Sequence, residues 1–172
     1  MTFLKAAALL TTVAVLGACS TSADRFGDGS GTGPGAGGIA TGALGDPNDP
    51  TSIAFFNETV GDRVLFVVDQ STLTPVGQAT LTQQASFLTS NPEYSAIIEG
   101  HADERGTREY NLALGARRAS AVQDFLVTQG VAPNRLQTVT YGKERPIEVC
   151  SEEACYQQNR RAVTVLTAGV GS

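Results

Sequence analysis

The sequence has no tryptophan, a single histidine and only three cysteines among its 172 residues. Without tryptophan and with only four tyrosines, a broad aromatic platform for stacking sugar rings is not expected. One histidine cannot complete a His-rich metal site, and we predict neither a metal nor a cofactor. Basic residues number 12 against 17 acidic ones, and the net charge of −5 argues against a nucleic-acid partner, which would leave a basic footprint.

The N-terminal apolar run, residues 6–16, is shorter than the roughly 20 apolar residues that span a bilayer. Lys5 precedes this run and small residues follow it, which is typical of a secretory signal peptide. The next residue is Cys19, and "LGAC" resembles the lipobox of bacterial lipoproteins. We therefore predict a signal peptide at residues 1–18 and lipidation of Cys19. The alternative is an ordinary signal peptide that happens to contain a cysteine.

Glycine is concentrated after this cysteine: nine of the 19 glycines lie within residues 27–45. Such a segment buries too little apolar surface to offset the entropy of ordering it, so residues 19–52 are predicted to form a flexible tether. Ser20 stands where an aspartate would have suggested retention in the inner membrane. The resemblance to lipoproteins therefore implies a location in the outer membrane, facing the periplasm.

The remaining residues, 53–172, are enough for one domain with a single core. Short β-branched runs alternate with helical patterns, and Thr74 before Pro75 and Thr107 are predicted N-caps. This alternation predicts a two-layer α/β sandwich, with helices on one face of a mixed four-stranded sheet. The predicted strands are residues 63–68, 94–100, 135–142 and 161–167, and the predicted helices are residues 75–90, 107–129 and 152–160.

Three motifs carry a family resemblance. They are "IEGHADERGTREYNLALGARRASAV" (residues 98–122), "TYGKERP" (140–146) and "NRRAV" (159–163). In this order and spacing they resemble the OmpA-like C-terminal domain family, and within it the peptidoglycan-associated lipoproteins of the Tol–Pal system. The resemblance implies an OmpA-like domain at residues 53–172. It also implies that this domain binds meso-diaminopimelate of the peptidoglycan stem peptide without cleaving it.

The resemblance implies a ligand site in the first motif. The end of diaminopimelate is a zwitterion, and a carboxylate suits its ammonium while a planar guanidinium suits its carboxylate. By resemblance, Asp103 takes the ammonium and Arg118 takes the carboxylate. Asn111 is expected to supply amide hydrogen bonds, Leu114 to line the edge, and Thr107 to serve as both cap and rim.

Helical spacing places Asn111, Gly115 and Arg118 on one face of the second predicted helix, at i, i+4 and i+7. We predict an apolar stripe that packs in the core on a different face of this helix, which leaves the polar face directed at a ligand. The predicted stripe consists of Leu112, Ala116, Ala119, Val122 and Leu126. Without the family resemblance, these charges would be interpreted as a solvated helix face.

The loop after the first strand departs from the family pattern. Family members carry acidic residues at two places in a pattern like "FDxD", whereas this chain has "FVVD" with Val67 at the first acidic position. In the family this loop borders the ligand pocket. We therefore predict that Phe66 and Asp69 form the rim of the pocket.

His101 is the residue that most invites a catalytic interpretation. Zinc binding and nucleophilic catalysis both need several partners, and the surrounding motif contains no nucleophile–base pair. We predict instead that His101 packs at the end of its strand and hydrogen-bonds locally, and that the protein is not an enzyme.

Cys150 and Cys155 lie five positions apart in a compartment that is oxidising. Once Cys19 is lipidated they are the only cysteines left, so a disulfide between them is the simplest expectation. Two free thiols or a bridge between chains are the alternatives.

The leading hypothesis from the sequence is an outer-membrane lipoprotein of the Tol–Pal system. By resemblance it binds peptidoglycan, tethers the membrane to the cell wall, and binds TolB through an overlapping surface during cell division. One alternative is an OmpA-like lipoprotein that anchors another envelope machine, such as a motor or secretion assembly. Another is a peptidoglycan enzyme, an amidase or a lytic enzyme.

Overall fold

The computed structural model describes residues 44–168. The predicted signal peptide, the predicted lipidation site at Cys19 and most of the predicted tether lie outside the described residues. The elements are α1 (Ile53–Phe55), which continues into a π-helical turn (Phe56–Gly61), β1 (Arg63–Leu65), α2 (Pro75–Ser90), β2 (Tyr94–His101), α3 (Arg108–Thr128), a 3-10 turn (Pro133–Arg135), β3 (Leu136–Gly142), α4 (Glu153–Asn159) and β4 (Arg161–Ala168).

The four strands form one sheet in the order β1-β4-β2-β3. Strands β2 and β3 run parallel, whereas β4 is antiparallel to both of its neighbours, so the sheet is mixed. Apolar side chains of α2 and α3 pack on the sheet in one core, which includes Leu81, Leu88, Ile98, Val122 and Leu126. This confirms the predicted two-layer α/β sandwich.

Both predicted N-caps are present. The Thr74 hydroxyl accepts a hydrogen bond from the Gly77 amide at 3.1 Å, and the Thr107 hydroxyl accepts one from the Tyr110 amide at 3.2 Å. Each satisfies one of the amide groups that have no partner within the first turn of a helix. Helices α2 and α3 consequently begin where the sequence predicts them.

Strand β1 is shorter than predicted: it ends at Leu65 rather than at residue 68. The Phe66 amide still donates to the Arg160 carbonyl at 2.8 Å, but beyond this bond the chain leaves the sheet. The Val67 carbonyl accepts a hydrogen bond from Arg118 instead of from a strand, and Asp69 turns the chain with φ of 55°.

The predicted packing face of α3 is confirmed in part. Ala119, Val122 and Leu126 are buried in the core, as predicted. Ala116 is exposed and Leu112 is half-buried, contrary to the prediction, whereas the polar face with Asn111, Gly115 and Arg118 is buried as well. The helix approaches β2 most closely through its glycine.

The close approach joins Gly115 to Gly100 in β2. A Cβ atom at Gly100 would lie 1.9 Å from the Gly115 carbonyl oxygen. Two residues without side chains therefore set the distance between α3 and the sheet, and the helix turns its polar residues inward beside this contact.

The ordered domain begins before residue 53. Ser52 is buried, and its hydroxyl caps α1 by accepting from the Phe55 amide at 3.0 Å. The Ala54 amide donates to the Leu44 carbonyl at 2.8 Å. The last residues of the predicted tether are therefore hydrogen-bonded to the domain, and the helical turns at residues 53–61 were not predicted.

Cys150, which precedes α4, forms a disulfide with Cys155 in the first turn of that helix. Within residues 44–168, no helix combines the length and the apolar character that crossing a membrane requires.

Candidate ligand-binding site

Arg118 joins three segments of the chain at the end of the sheet where β1 and β2 finish. Its side chain is fully buried. Its Nε–H donates to the Gln70 carbonyl at 2.9 Å, Nη1 to the His101 carbonyl at 2.7 Å, and Nη2 to the Val67 carbonyl at 3.1 Å. One guanidinium therefore links the loop after β1 (residues 66–74) to the end of β2.

The prediction that Arg118 points freely at a ligand is wrong. Three of the five N–H groups of a guanidinium are committed to carbonyls, which leaves two without a protein acceptor among residues 44–168. Burial lowers the pKa of Arg118 to about 10, and Asp103 partly opposes this. The side chain stays charged at neutral pH and is a structural element as much as a candidate ligand contact.

Asp103 lies in the loop between β2 and α3 (residues 102–107) and is also buried, with 6% of its surface exposed. Its Oδ2 accepts from Arg105 Nη2 at 2.6 Å and from Arg160 Nη1 at 3.2 Å, and its Oδ1 accepts from the Arg105 amide at 3.2 Å. Burial raises the pKa of Asp103, but the bonds from both arginines outweigh it and hold the pKa below its usual value of 3.8. Asp103 is therefore ionised at neutral pH.

Sequence reasoning missed Arg160 as a site residue, although it lies in the "NRRAV" motif. It is buried, and its Nε–H donates to the Phe66 carbonyl at 3.2 Å. Its Nη2 donates to Glu153 at 2.5 Å while Nη1 contacts Asp103. Arg160 thus connects the site carboxylate to the loop after β1 and to α4.

The remaining predicted ligand contacts mostly support the loop. Asn111 is buried, and its Nδ2 donates to the Arg105 carbonyl at 2.7 Å. Leu114 is also buried and does not line an edge of the surface. Thr107 is exposed at the start of α3, so it alone of these three residues lies where a rim was predicted.

The two predicted rim residues differ from each other. Phe66 is buried, and the Arg118 guanidinium carbon lies 5.1 Å from the centre of its ring, so Phe66 belongs to the core and not to the rim. Asp69 is exposed and accepts a hydrogen bond from the Tyr110 hydroxyl at 3.4 Å. Val67, at the position that is acidic in the family, is 46% exposed beside them.

A cavity of about 680 Å³ lies next to this cluster. Phe66, Val67 and Arg160 line it together with residues of β1, α2 and α4, but Asp103 and Arg118 do not. The two predicted charge partners therefore do not share this cavity, and the Asp103 carboxylate is bound by the Arg105 guanidinium.

His101 packs at the end of β2, as predicted, but the predicted local hydrogen bond is wrong. It is 2% exposed, and neither ring nitrogen has a hydrogen-bond partner among residues 44–168. Burial, followed by the charges of Arg161 and Arg145, lowers its pKa to about 4. In the same part of the chain, no three His, Cys, Asp or Glu side chains are grouped so as to hold a metal ion.

The fold and the site together define a class of domain: a mixed sheet covered by helices, with a buried carboxylate and several guanidinium groups where its strands end. The model of the OmpA family matches residues 65–160. The chain belongs to the OmpA family.

Within that family the similar curated proteins share one description. "Peptidoglycan-associated lipoprotein" of Rhizobium meliloti (strain 1021) is 49% identical over 165 residues, which cover 96% of this chain and 88% of the relative. The protein of the same name from Mesorhizobium japonicum is 55% identical over 123 residues, covering 72% and 73% of the two chains. The predicted resemblance to peptidoglycan-associated lipoproteins is confirmed.

Solved structures agree with the fold. The crystal structure of the peptidoglycan-associated lipoprotein from Burkholderia pseudomallei matches with a TM-score of 0.63 and 40% identity, over 73% of this chain and 99% of that one. The C-terminal domain of Helicobacter pylori MotB matches with a TM-score of 0.59 over 63% and 86% of the two chains. At 20% identity, the second match shows a shared fold only.

Proposed function

We propose that this chain is a lipid-anchored protein that binds peptidoglycan without cleaving it and tethers the outer membrane to the cell wall. The observation that carries the proposal is a buried carboxylate, Asp103, just after β2, with the buried Arg118 guanidinium bonded to the last residue of the same strand. The name shared by relatives up to 56% identical supports the same ligand.

The ligand that fits this pair of charges is the end of a diaminopimelate side chain in a stem peptide. Its ammonium needs an anion, and Asp103 is an anion that hydrogen bonds from the Arg105 amide and the Arg160 guanidinium hold in place. Its carboxylate needs donors, and Arg118 keeps two N–H groups that are not committed to backbone carbonyls. We assign the rim of this site to Thr107 and Asp69, both of which are exposed.

The site is suited to binding and not to hydrolysis. A general acid or base works best with a pKa near the operating pH, whereas the pKa of Asp103 lies below 3.8 and that of His101 is about 4. His101 is also buried, so a substrate could reach neither of its nitrogens without opening the strand end. We therefore propose a non-enzymatic role.

By the resemblance to its relatives, we place the anchor at Cys19, in the outer membrane and facing the periplasm. We further propose TolB as a protein partner whose surface overlaps the wall-binding face, so that TolB-bound and wall-bound populations exchange during cell division. The alternative is an anchor for a motor or secretion assembly. The match to MotB does not favour it, because that likeness extends to the fold alone.

The test is co-sedimentation of the purified full chain, kept in detergent, with cell walls that contain diaminopimelate. We expect the unmodified chain to pellet with the walls and to release no soluble fragments. Asp103→Asn, which keeps the side-chain shape but removes the charge, should weaken binding about tenfold or more.

The matched control is Asp124→Asn on the exposed side of α3, which should bind like the unmodified chain. Equal binding by Asp103→Asn and the control would refute the site, and release of fragments would refute the non-enzymatic role. Capture of purified TolB, with competition from soluble wall peptide, separates the Tol–Pal role from that of another envelope anchor.

A further inference from the structure

The Asp103 carboxylate is occupied in this structure by the chain's own cations. Arg105 grips its Oδ2 with two nitrogens, Nη2 at 2.6 Å and Nε at 3.3 Å, and Arg160 adds Nη1 at 3.2 Å. Both guanidinium groups bind Oδ2, and Oδ1 accepts only the Arg105 amide at 3.2 Å, so the carboxylate keeps acceptor capacity. Asp103 is only 6% exposed, however, so one of the two guanidinium groups must move before an ammonium from solvent can reach it.

Only one of the two arginines can move at low cost. The Arg160 side chain is 6% exposed and holds the Phe66 carbonyl as well as Glu153, so releasing it would break the junction between β1 and α4. The Arg105 side chain is 46% exposed. Its amide and carbonyl remain bonded to Asp103 and Asn111, so the guanidinium can swing away while the loop keeps its shape.

Two side chains of α4 already contact the Arg105 guanidinium. The Arg105 guanidinium carbon lies 4.6 Å from the centre of the Tyr156 ring, a distance that permits a cation–π contact. Its Nη1 lies 3.7 Å from a carboxylate oxygen of Glu153, which is largely exposed. These two side chains of α4 can hold Arg105 at the edge of the site after it leaves Asp103.

We propose that Arg105 is an exchangeable counter-ion that selects ligands carrying both an ammonium and a carboxylate. The ligand ammonium replaces Arg105 on Asp103, and the released guanidinium takes the ligand carboxylate. This inference rests on the proposed function. It adds Arg105 to the two uncommitted N–H groups of Arg118 as a donor for the ligand carboxylate.

The exchange would make the site selective for a zwitterion, because the number of ion pairs formed differs between ligands. A ligand with only an ammonium replaces the Asp103–Arg105 pair by one new pair and leaves the guanidinium with only the Glu153 contact that it already has. A zwitterion forms two ion pairs for the one that is broken. Because a charge-assisted hydrogen bond changes affinity by about tenfold or more, the site should prefer a zwitterionic side chain by at least that factor.

Two probe peptides test the exchange: a soluble stem peptide with diaminopimelate, and the same peptide with lysine at that position, which lacks only the distal carboxylate. Calorimetric titration of the full chain should show about a tenfold or greater preference for diaminopimelate. Arg105→Ala should bind the diaminopimelate peptide more weakly and the lysine peptide more tightly, because the competing cation is gone. The preference should therefore fall to about threefold or less.

Arg105→Lys should retain part of the preference, because an ammonium still pairs with the ligand carboxylate but not in a bidentate manner. Arg117→Ala, an exposed neighbour of Arg118 on α3, is the control and should keep the full preference. An unchanged preference in Arg105→Ala would refute the exchange and assign the anion to Arg118. Failure of the unmodified chain to bind either peptide would instead refute the proposed function, and with it this inference.

Discussion

His101 gives a quantitative test of the structure, because it is the only histidine in the chain and is almost completely buried. Its Nε2 lies 3.6 Å from Glu99, its ring lies against Tyr141, and the charges of Arg161 and Arg145 face it from β4 and the preceding loop. Burial, reinforced by the two arginines, lowers the pKa of the imidazole from 6.5 to about 4. The folded protein therefore holds His101 neutral.

The sign of the effect follows from the lowered pKa. Between pH 6.5 and pH 4 the unfolded chain binds a proton at His101 that the folded chain does not, so the free energy of unfolding falls as the pH falls. Above pH 6.5 this stability is fully present. At about 1.4 kcal/mol for each pH unit of the window, its loss amounts to about 3 kcal/mol at pH 4 and about 2.5 kcal/mol at pH 4.5.

Urea unfolding at pH 7 and pH 4.5 measures this loss, with His101→Gln as the variant that cannot titrate. The unmodified chain should lose about 2.5 kcal/mol more stability than the variant between the two pH values. An NMR titration of the single histidine should place its pKa well below 6.5. Identical losses in both proteins, or an imidazole that titrates near 6.5, would refute the buried neutral histidine.

Three further predictions concern the scaffold and are measured by denaturant unfolding. Arg118→Ala should lose about 3 kcal/mol or more, because it empties a fully buried site and removes the donor of three carbonyls, that of His101 buried. Arg117→Ala should change stability by less than about 0.5 kcal/mol, and similar values for the two variants would contradict the structural role of Arg118. Gly100→Ala should prevent native packing of α3, because its Cβ would meet a backbone oxygen at 1.9 Å, and a stable native variant would disprove that contact. Reduction of the Cys150–Cys155 disulfide should lower stability by about 2 kcal/mol, as expected for so short a loop, and a loss of the whole fold would contradict it.

The sequence predicts best those helix ends that depend on residues close to them in the chain. The Thr74–Pro75 pair and Thr107 determine where α2 and α3 begin, since a cap depends on residues within one turn. Strand β1 was predicted too long because residues 66–68 are as apolar as a strand. In the folded chain the Val67 carbonyl bonds a guanidinium 51 positions away, and no local pattern reports that contact.

Periodicity predicted Ala119, Val122 and Leu126 on the buried side of α3, but not that the polar face of this helix is buried too. A polar face containing Asn111 and Arg118 ordinarily faces water. Here that face is buried because its donors satisfy carbonyls of distant loops, and because Gly115 allows the helix backbone to approach Gly100. Such burial depends on tertiary partners and not on the helix itself.

The candidate site was predicted in part. The family motif led to Asp103 and Arg118, and the structure brings them to the same end of the sheet. The part played by Arg160 was not seen, because it lies 57 positions from Asp103, and that of Arg105 was not seen because an exposed arginine beside an aspartate resembles an ordinary surface pair. Arg105 and Arg160 both lie in the family motifs, at residues 98–122 and 159–163. Their positive charge within these motifs was the signal that could have identified them as partners of Asp103.

The central claim is that the Asp103 carboxylate receives the ammonium of a wall peptide, and a double-perturbation cycle tests it most directly. Calorimetry would compare a diaminopimelate stem peptide with the same peptide acetylated at the distal amine, each titrated into the unmodified chain and into Asp103→Asn. We predict that acetylation weakens binding to the unmodified chain about tenfold or more, but hardly changes the weak binding to the variant, because the two groups are partners. Equal weakening of both proteins by acetylation would contradict the account.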